Sequence, residues 1–161
     1  DALSNKREAS ILGAVAGHAT KPAGLFAGVT ADTAAITFAD ILKMEQTLEE
    51  KNVGGNIKFI ASPAAKAVLR TTAVGGTKSD LRMLMEGNEI DGISTLVTNG
   101  MTSMGLILGN FNDLVIGQWG GIDLTVDPYT QAANGKIRLV VNAYFDAKPQ
   151  RADSFVKKVL K

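Results

Sequence analysis

Residues 113–157 constrain the fold more than any other part of this chain. They read DLVIGQWGGIDLTVDPYTQAANGKIRLVVNAYFDAKPQRADSFVK. Three runs within them, 114–119, 122–126 and 137–145, are rich in β-branched and apolar residues, and turn formers separate them. Gly120-Gly121 stands between the first two and Asn134-Gly135 precedes the third; Gly and Asn tolerate the positive φ that tight turns need. Ile122, Leu124 and Val126 alternate with Asp123, Thr125 and Asp127, the pattern of a strand with one buried face. The third run leads to Pro149, which cannot donate to a sheet ladder. A short apolar run, 155–160, follows. The expectation is an antiparallel sheet on which the upstream segments pack.

Upstream, residues 1–10 are polar and suit the last turns of a helix. Ile11 begins a small, apolar, glycine-rich connection that runs through His18, Pro22 and Gly24. Gly13 and Gly17 have G-x-x-x-G spacing, but the apolar context is far too short for a membrane helix. Thr37 and Asp40 match a helix-capping pair, and Phe38, Ile41, Leu42 and Leu48 mark an apolar stripe over residues 38–51. Gly54-Gly55 is expected to stop that helix. Residues 57–61 read as a buried strand. Ser62-Pro63 then opens a second helix over 64–71, with Ser as N-cap and Pro at the first helical position.

Residues 72–92 are the least regular stretch. Gly75-Gly76-Thr77-Lys78-Ser79 lacks the Gly directly before Lys that a P-loop requires, and follows a helix rather than a strand. Leu81, Met83, Leu84 and Met85 are more apolar than a lone loop can easily bury. We expect residues 72–89 to be mobile in an isolated subunit and to contact neighbouring copies. Short strands are expected over 93–98 and 106–108.

The totals exclude several classes. A chain of 161 residues, 45% hydrophobic and 20% charged, can bury a core. A net charge of +1 gives no argument for nucleic-acid or membrane binding. With no cysteine there is no disulfide framework, thiol nucleophile or Cys-based zinc site. No apolar run approaches the roughly 18–20 residues that span a bilayer. His18 is the only histidine, and no nucleophile elbow accompanies it. Glu45, Glu49 and Glu50 read as a solvated helix face. Asp91, Asp113, Asp123 and Asp127 sit at strand ends and turns, where Asp hydrogen-bonds its own backbone. Asp91 and Asp113 keep open a second reading, a small enzyme or ligand-binding domain with oxygen ligands for a hard cation. No catalytic, cofactor or metal-ligating residue is assigned.

Several short motifs recur in a fixed order: Glu8-Ala9-Ser10-Ile11-Leu12-Gly13, Lys21-Pro22-Ala23-Gly24-Leu25, the helix over 38–51, the strand-turn-helix over 59–69, Asp91-Gly92-Ile93, and Gly109-Asn110-Phe111 ahead of the two long β runs. Together they resemble the major capsid proteins of tailed bacteriophages, whose type member is the coat protein of phage Hong Kong 97. The Pro usual near Ile93 in that family is absent. The resemblance implies an α+β fold, a mixed and mainly antiparallel sheet flanked by helices, and a structural rather than catalytic protein. It implies a peripheral part in residues 1–30 and 131–161 and an axial domain in 31–130. It implies partners too: other copies in hexamers and pentamers, scaffold, portal, maturation protease and packaged DNA bound without sequence specificity, with no cofactor and no membrane. The protein would reside in the virion, and in the host cytoplasm during assembly. Some members cross-link Lys to Asn. Asn134 and Asn142 lie in the corresponding region but match no motif. An encapsulin-type compartment shell shares the fold and is the alternative. Because the first residue is Asp and no N-terminal arm or extended loop is found, we expect a fragment that stays a monomer or small ring on its own.

Overall fold

The computed structural model describes residues 2–13, 24–27, 29–75 and 82–161. His18, Lys21–Ala23, Leu81 and most of the P-loop-like run lie outside the described residues. Among the described residues, three helices, α1 (Ala2–Leu12), α2 (Phe38–Glu50) and α3 (Pro63–Thr71), accompany seven strands. These are β1 (Ile57–Ala61), β2 (Glu89–Ile90), β3 (Ile93–Val97), β4 (Gly105–Asn110), β5 (Leu114–Asp127), β6 (Arg138–Pro149) and β7 (Phe155–Val159). Five of them form one sheet in the order β2-β3-β1-β4-β7; β5 and β6 pair separately as a two-stranded ribbon. Among the pairings of these seven strands, only β1–β3 is parallel. The fold is therefore α+β with a mainly antiparallel sheet.

The core lies around the five-stranded sheet, and alternation along its strands divides it in two. Phe59 and Ala61 of β1 and Leu106 and Leu108 of β4 face Ile41, Met44 and Leu48 of α2 and Ala65 and Leu69 of α3. Ile107, between the two leucines, faces the opposite way, toward Ile11 and Leu12 of α1 with Leu25, Phe26 and Phe155. Every residue of β4 is buried, so it reads as an unbroken apolar run rather than an alternating one. Gly109 has no room for a side chain. A Cβ there would lie 2.3 Å from the carbonyl oxygen of Ser154, the residue before β7, and this close approach lets β4 and β7 pair.

The helix signals act much as the sequence implies, with two corrections. The Asp40 carboxylate accepts from Thr37 N–H at 2.9 Å and from the Thr37 hydroxyl at 2.7 Å. Ser62 Oγ accepts from Ala65 N–H at 3.1 Å, with Pro63 opening α3. The buried stripe of α2 is Ile41, Met44 and Leu48, at i, i+3 and i+7, while Leu42 is exposed. Leu42 is one residue, about 100° of helix, off the stripe. The second correction concerns the stop. Asn52 takes a left-handed φ of 53° and donates to Glu49 O, while Val53 donates to Leu48 O. That is a Schellman ending on Asn, completed before Gly54-Gly55.

Two further expectations give way. Leu84 and Met85 are buried in the first core, and Leu84 N–H donates to Thr72 O and Met85 N–H to Leu69 O. They therefore do not need a neighbouring copy to cover them. Gly120-Gly121 is not a turn between two strands. Residues 114–127 form one strand, and the glycines fall inside a register shift between Trp119, opposite Tyr144, and Asp123, opposite Asn142.

Candidate functional site

The carboxylates singled out in the sequence go to separate places. Asp91 occupies the β2–β3 turn with a φ of 47° and pairs with Arg82 at 3.4 Å. Asp113 accepts from the buried Ser154 hydroxyl. Asp123 is on the outer ribbon, opposite Asn142. Asp127 caps the ribbon tip, accepting from Tyr129 N–H at 3.0 Å and Thr130 N–H at 3.1 Å. Bonds from Thr130, side chain then backbone, hold its pKa below the usual range. Asn134 lies in the exposed tip turn Ala132–Asn134. On α2, burial and then Asp91 and Glu49 push Glu45 up, and its Oε1 is buried without a hydrogen-bond partner among the described residues. Among the described residues, no three His, Cys, Asp or Glu side chains stand close enough to share a metal.

The densest polar arrangement is structural. Lys158 of β7 faces α2 and lies 2.8 Å from both Asp32 Oδ2 and Asp40 Oδ1. Asp32 N–H donates to Val159 O at 2.8 Å, so the lysine straps the segment around Asp32 and the first turn of α2 onto the edge strand. A cavity of about 400 Å³ adjoins it, lined in part by Val29, Met44 and Val156. Hydrogen bonds from Lys158 and then Thr37 lower Asp40 from 3.8 to about 2. Burial pulls the Lys158 ammonium down, but the two carboxylates outweigh it and hold its pKa above its ordinary value. A depressed acid stabilises the fold above its unfolded pKa and loses that contribution as pH falls through the folded one. We predict that wild type is more stable than Asp40→Asn by about 1 kcal/mol near neutral pH, a figure reduced for solvent screening. The gap should close between about pH 4 and pH 2, followed by urea denaturation at each pH.

What remains is the ribbon, and here the sequence pattern and the burial part company. Directly paired residues of a sheet share a face, so Leu124 with Val141 and Val126 with Leu139 line one face, with Ile122 and Ile137 at its ends. The alternation predicts that this face is buried. Instead all six are exposed, from 44% at Val141 to 66% at Ile137. The same face of β6 continues inward through Ala143 to Phe145 and Ala147, which pack with Leu114 onto the second core. Arg7 of α1 stacks on the Phe145 ring at 5.5 Å. The ribbon is thus an apolar surface whose root is covered by α1 and whose outer half is uncovered. Trp119 and Tyr144 form an exposed cross-strand pair on the opposite face. Isolated exposed apolar residues are ordinary, but a contiguous patch marks an interaction surface.

Residues 1–160 match the phage capsid family. The chain belongs to that family. It is 26% identical over 144 residues to the major capsid protein of Halomonas phage phiHAP-1, a match covering 86% of this chain and 24% of that protein. Among solved structures, the capsid of an empty GTA particle is similar with a TM-score of 0.66 and 15% identity, over 94% of this chain and 60% of that one. Gordonia phage Cozz gives 0.62 and 19%, over 99% and 60%. A virus-like particle from Pyrococcus furiosus gives 0.61 and 16%, over 98% and 64%. The chain spans about a quarter of the curated relative and about three-fifths of these structures. The fold is thus that of the capsid proteins. Within it, Gly109-Asn110-Phe111 has a physical role at each position. Gly109 admits β7; Asn110 Nδ2 donates to Gly54 O at 3.0 Å while its Oδ1 accepts from Asn112 N–H. Phe111 meets Phe155 edge-on at 5.3 Å.

Proposed function

We propose that this chain is the body of a phage major capsid subunit whose work is to build a shell, not to catalyse a reaction. The observation that carries the proposal is the uncovered apolar stripe of the outer ribbon, in a chain of the phage capsid family. A second copy of the protein is its occupant: the similar solved structures are capsids, and a shell surrounds each subunit with copies of itself. In this reading the bounds shift from those expected: β5 joins α1 and β6 in the peripheral part because it pairs with β6, and β7 joins α2, α3 and the sheet in the axial part because it pairs with β4. Copies form hexamers and pentamers that close an icosahedral shell around DNA in the host cytoplasm. Scaffold, portal and maturation protease are the further partners. The phage relative favours this reading over a compartment shell.

Electron microscopy of a coat protein of family length carrying this region tests it. Closed particles are the expected result. A protein that stays dispersed with its scaffold present, while folded by circular dichroism, would refute it.

A further inference from the structure

The ribbon is interrupted at one place. From Trp119 to Asp123, β5 advances four residues while β6 moves two, from Tyr144 to Asn142. The strand therefore carries two extra residues, and the ladder is broken there. Gly120 has a φ of +69° and needs glycine for that reason; Gly121 has no positive φ, and a Cβ at either position would meet no atom within 4 Å. Neither glycine serves close packing. At Gly121, what glycine adds is conformational freedom. An insertion of two also preserves alternation: remove the pair, and Trp119, Ile122 and Asp123 face Tyr144, Ala143 and Asn142 one for one, with every side chain on its present face.

The two sides of this break are held differently. The root is fixed: Leu114, Phe145 and Ala147 pack on the second core, and Gln150 N–H donates to Asp113 O at 2.7 Å. The outer part, residues 122–142, carries the apolar stripe and reaches a tip where Tyr129 is 85% exposed. We propose that Gly120-Gly121 is a hinge on which the outer ribbon swings relative to its root, so that one subunit presents the same stripe to neighbours at more than one angle. Bulges re-aim strands, and a glycine pair within a two-stranded ribbon leaves few ladder bonds to resist bending. The use of the hinge rests on the shell-building reading; its existence does not.

The absence of cysteine makes paired spin labels unambiguous. One pair, Glu49→Cys with Ala133→Cys, joins α2 to the ribbon tip; another, Glu49→Cys with Lys148→Cys, joins α2 to the root. In the isolated chain the tip distance distribution should be about twice as broad as the root distribution, and deletion of Gly120 and Gly121 should narrow it to the root width. Gly121→Thr, which keeps the register and has open space for its side chain, should narrow it in part and covers the case in which the deletion does not fold. A tip distribution as narrow as the root in wild type would overturn the hinge, as would one that neither change narrows. Because no assembly is involved, a chain that never builds shells leaves this result intact, and a rigid ribbon leaves the shell reading intact.

Discussion

Phe59→Ala should lower the stability of the fold sharply and move its urea midpoint well below that of wild type. Phe59 is fully buried on β1, the central strand of the five, and belongs to the core cluster formed with α2 and α3. Truncating a buried Phe removes its transfer energy and leaves a cavity, together costing about 3–5 kcal/mol. A domain of this size is stable by only about 5–15 kcal/mol, so the loss takes a large share of the total. The site has little means of collapsing: β4, its neighbour on one side, is buried from end to end, and β3 is hydrogen-bonded on the other. Urea denaturation followed by circular dichroism is the measurement. Tryptophan fluorescence would mislead, because Trp119 is the only tryptophan and sits on the exposed ribbon. A midpoint within experimental error of wild type would show that Phe59 is not the keystone of the first core.

The helices were legible because their signals are local. Thr37 with Asp40 and Ser62 with Pro63 place helix starts through groups a few residues apart, and no distant contact is needed to read them. Residues 57–61 were legible for the same reason, an apolar run between turn formers. The stop at Asn52 is not legible because Asn adopts the left-handed conformation less often than glycine, and Gly54-Gly55, two residues on, carries the stronger local stop signal. The bulge was missed because a glycine pair between two apolar runs is locally the same whether the strand turns or continues. Which occurs depends on β6, whose long run supplies partners on both sides of the glycines. The burial of Leu84 and Met85 depends on α3 and on the backbone of Thr72, contacts set by the tertiary fold.

The ribbon shows the deeper limit. Alternation in 122–126 correctly reports that one face is apolar, but apolar does not mean covered within the chain. Among the described residues, nothing covers the outer half of that face. The apolar face is therefore legible in the sequence, but its place outside the core of the subunit is not. The carboxylates were legible as turn chemistry, since that reading needs only local partners. Asp127 caps a turn as that reading expects, whereas Asp113, kept open as an oxygen ligand, accepts from Ser154 just before β7.

Leu124→Asp combined with Val141→Lys should abolish shell formation while leaving the subunit folded. The two positions are directly opposite, so the new charges meet across the strands and support the ribbon rather than repel. Both are already exposed, and substitutions away from a core change stability by no more than about 0.5 kcal/mol. The stripe, however, becomes polar at its centre. Fully burying an aliphatic side chain contributes about 1.5–3 kcal/mol; with roughly half of each stripe residue still accessible, covering six of them offers on the order of 5–9 kcal/mol. Association itself costs an estimated 4–15 kcal/mol or more. The stripe alone is thus too weak to hold two isolated chains firmly, and a monomer or small ring is the expected state of the 161-residue chain. In a closed shell each copy is held by several neighbours, and there the same few kcal/mol decide whether the array forms. Placing two charges in that contact adds a desolvation cost of several kcal/mol at every copy. Electron microscopy and light scattering of the coat protein of family length should show particles for wild type and dispersed, folded subunits for the double variant. The single change Thr125→Lys, on the opposite face of β5, should assemble normally. Particles of ordinary yield from the double variant would show that the stripe is not an assembly contact and would remove the observation on which the functional reading rests.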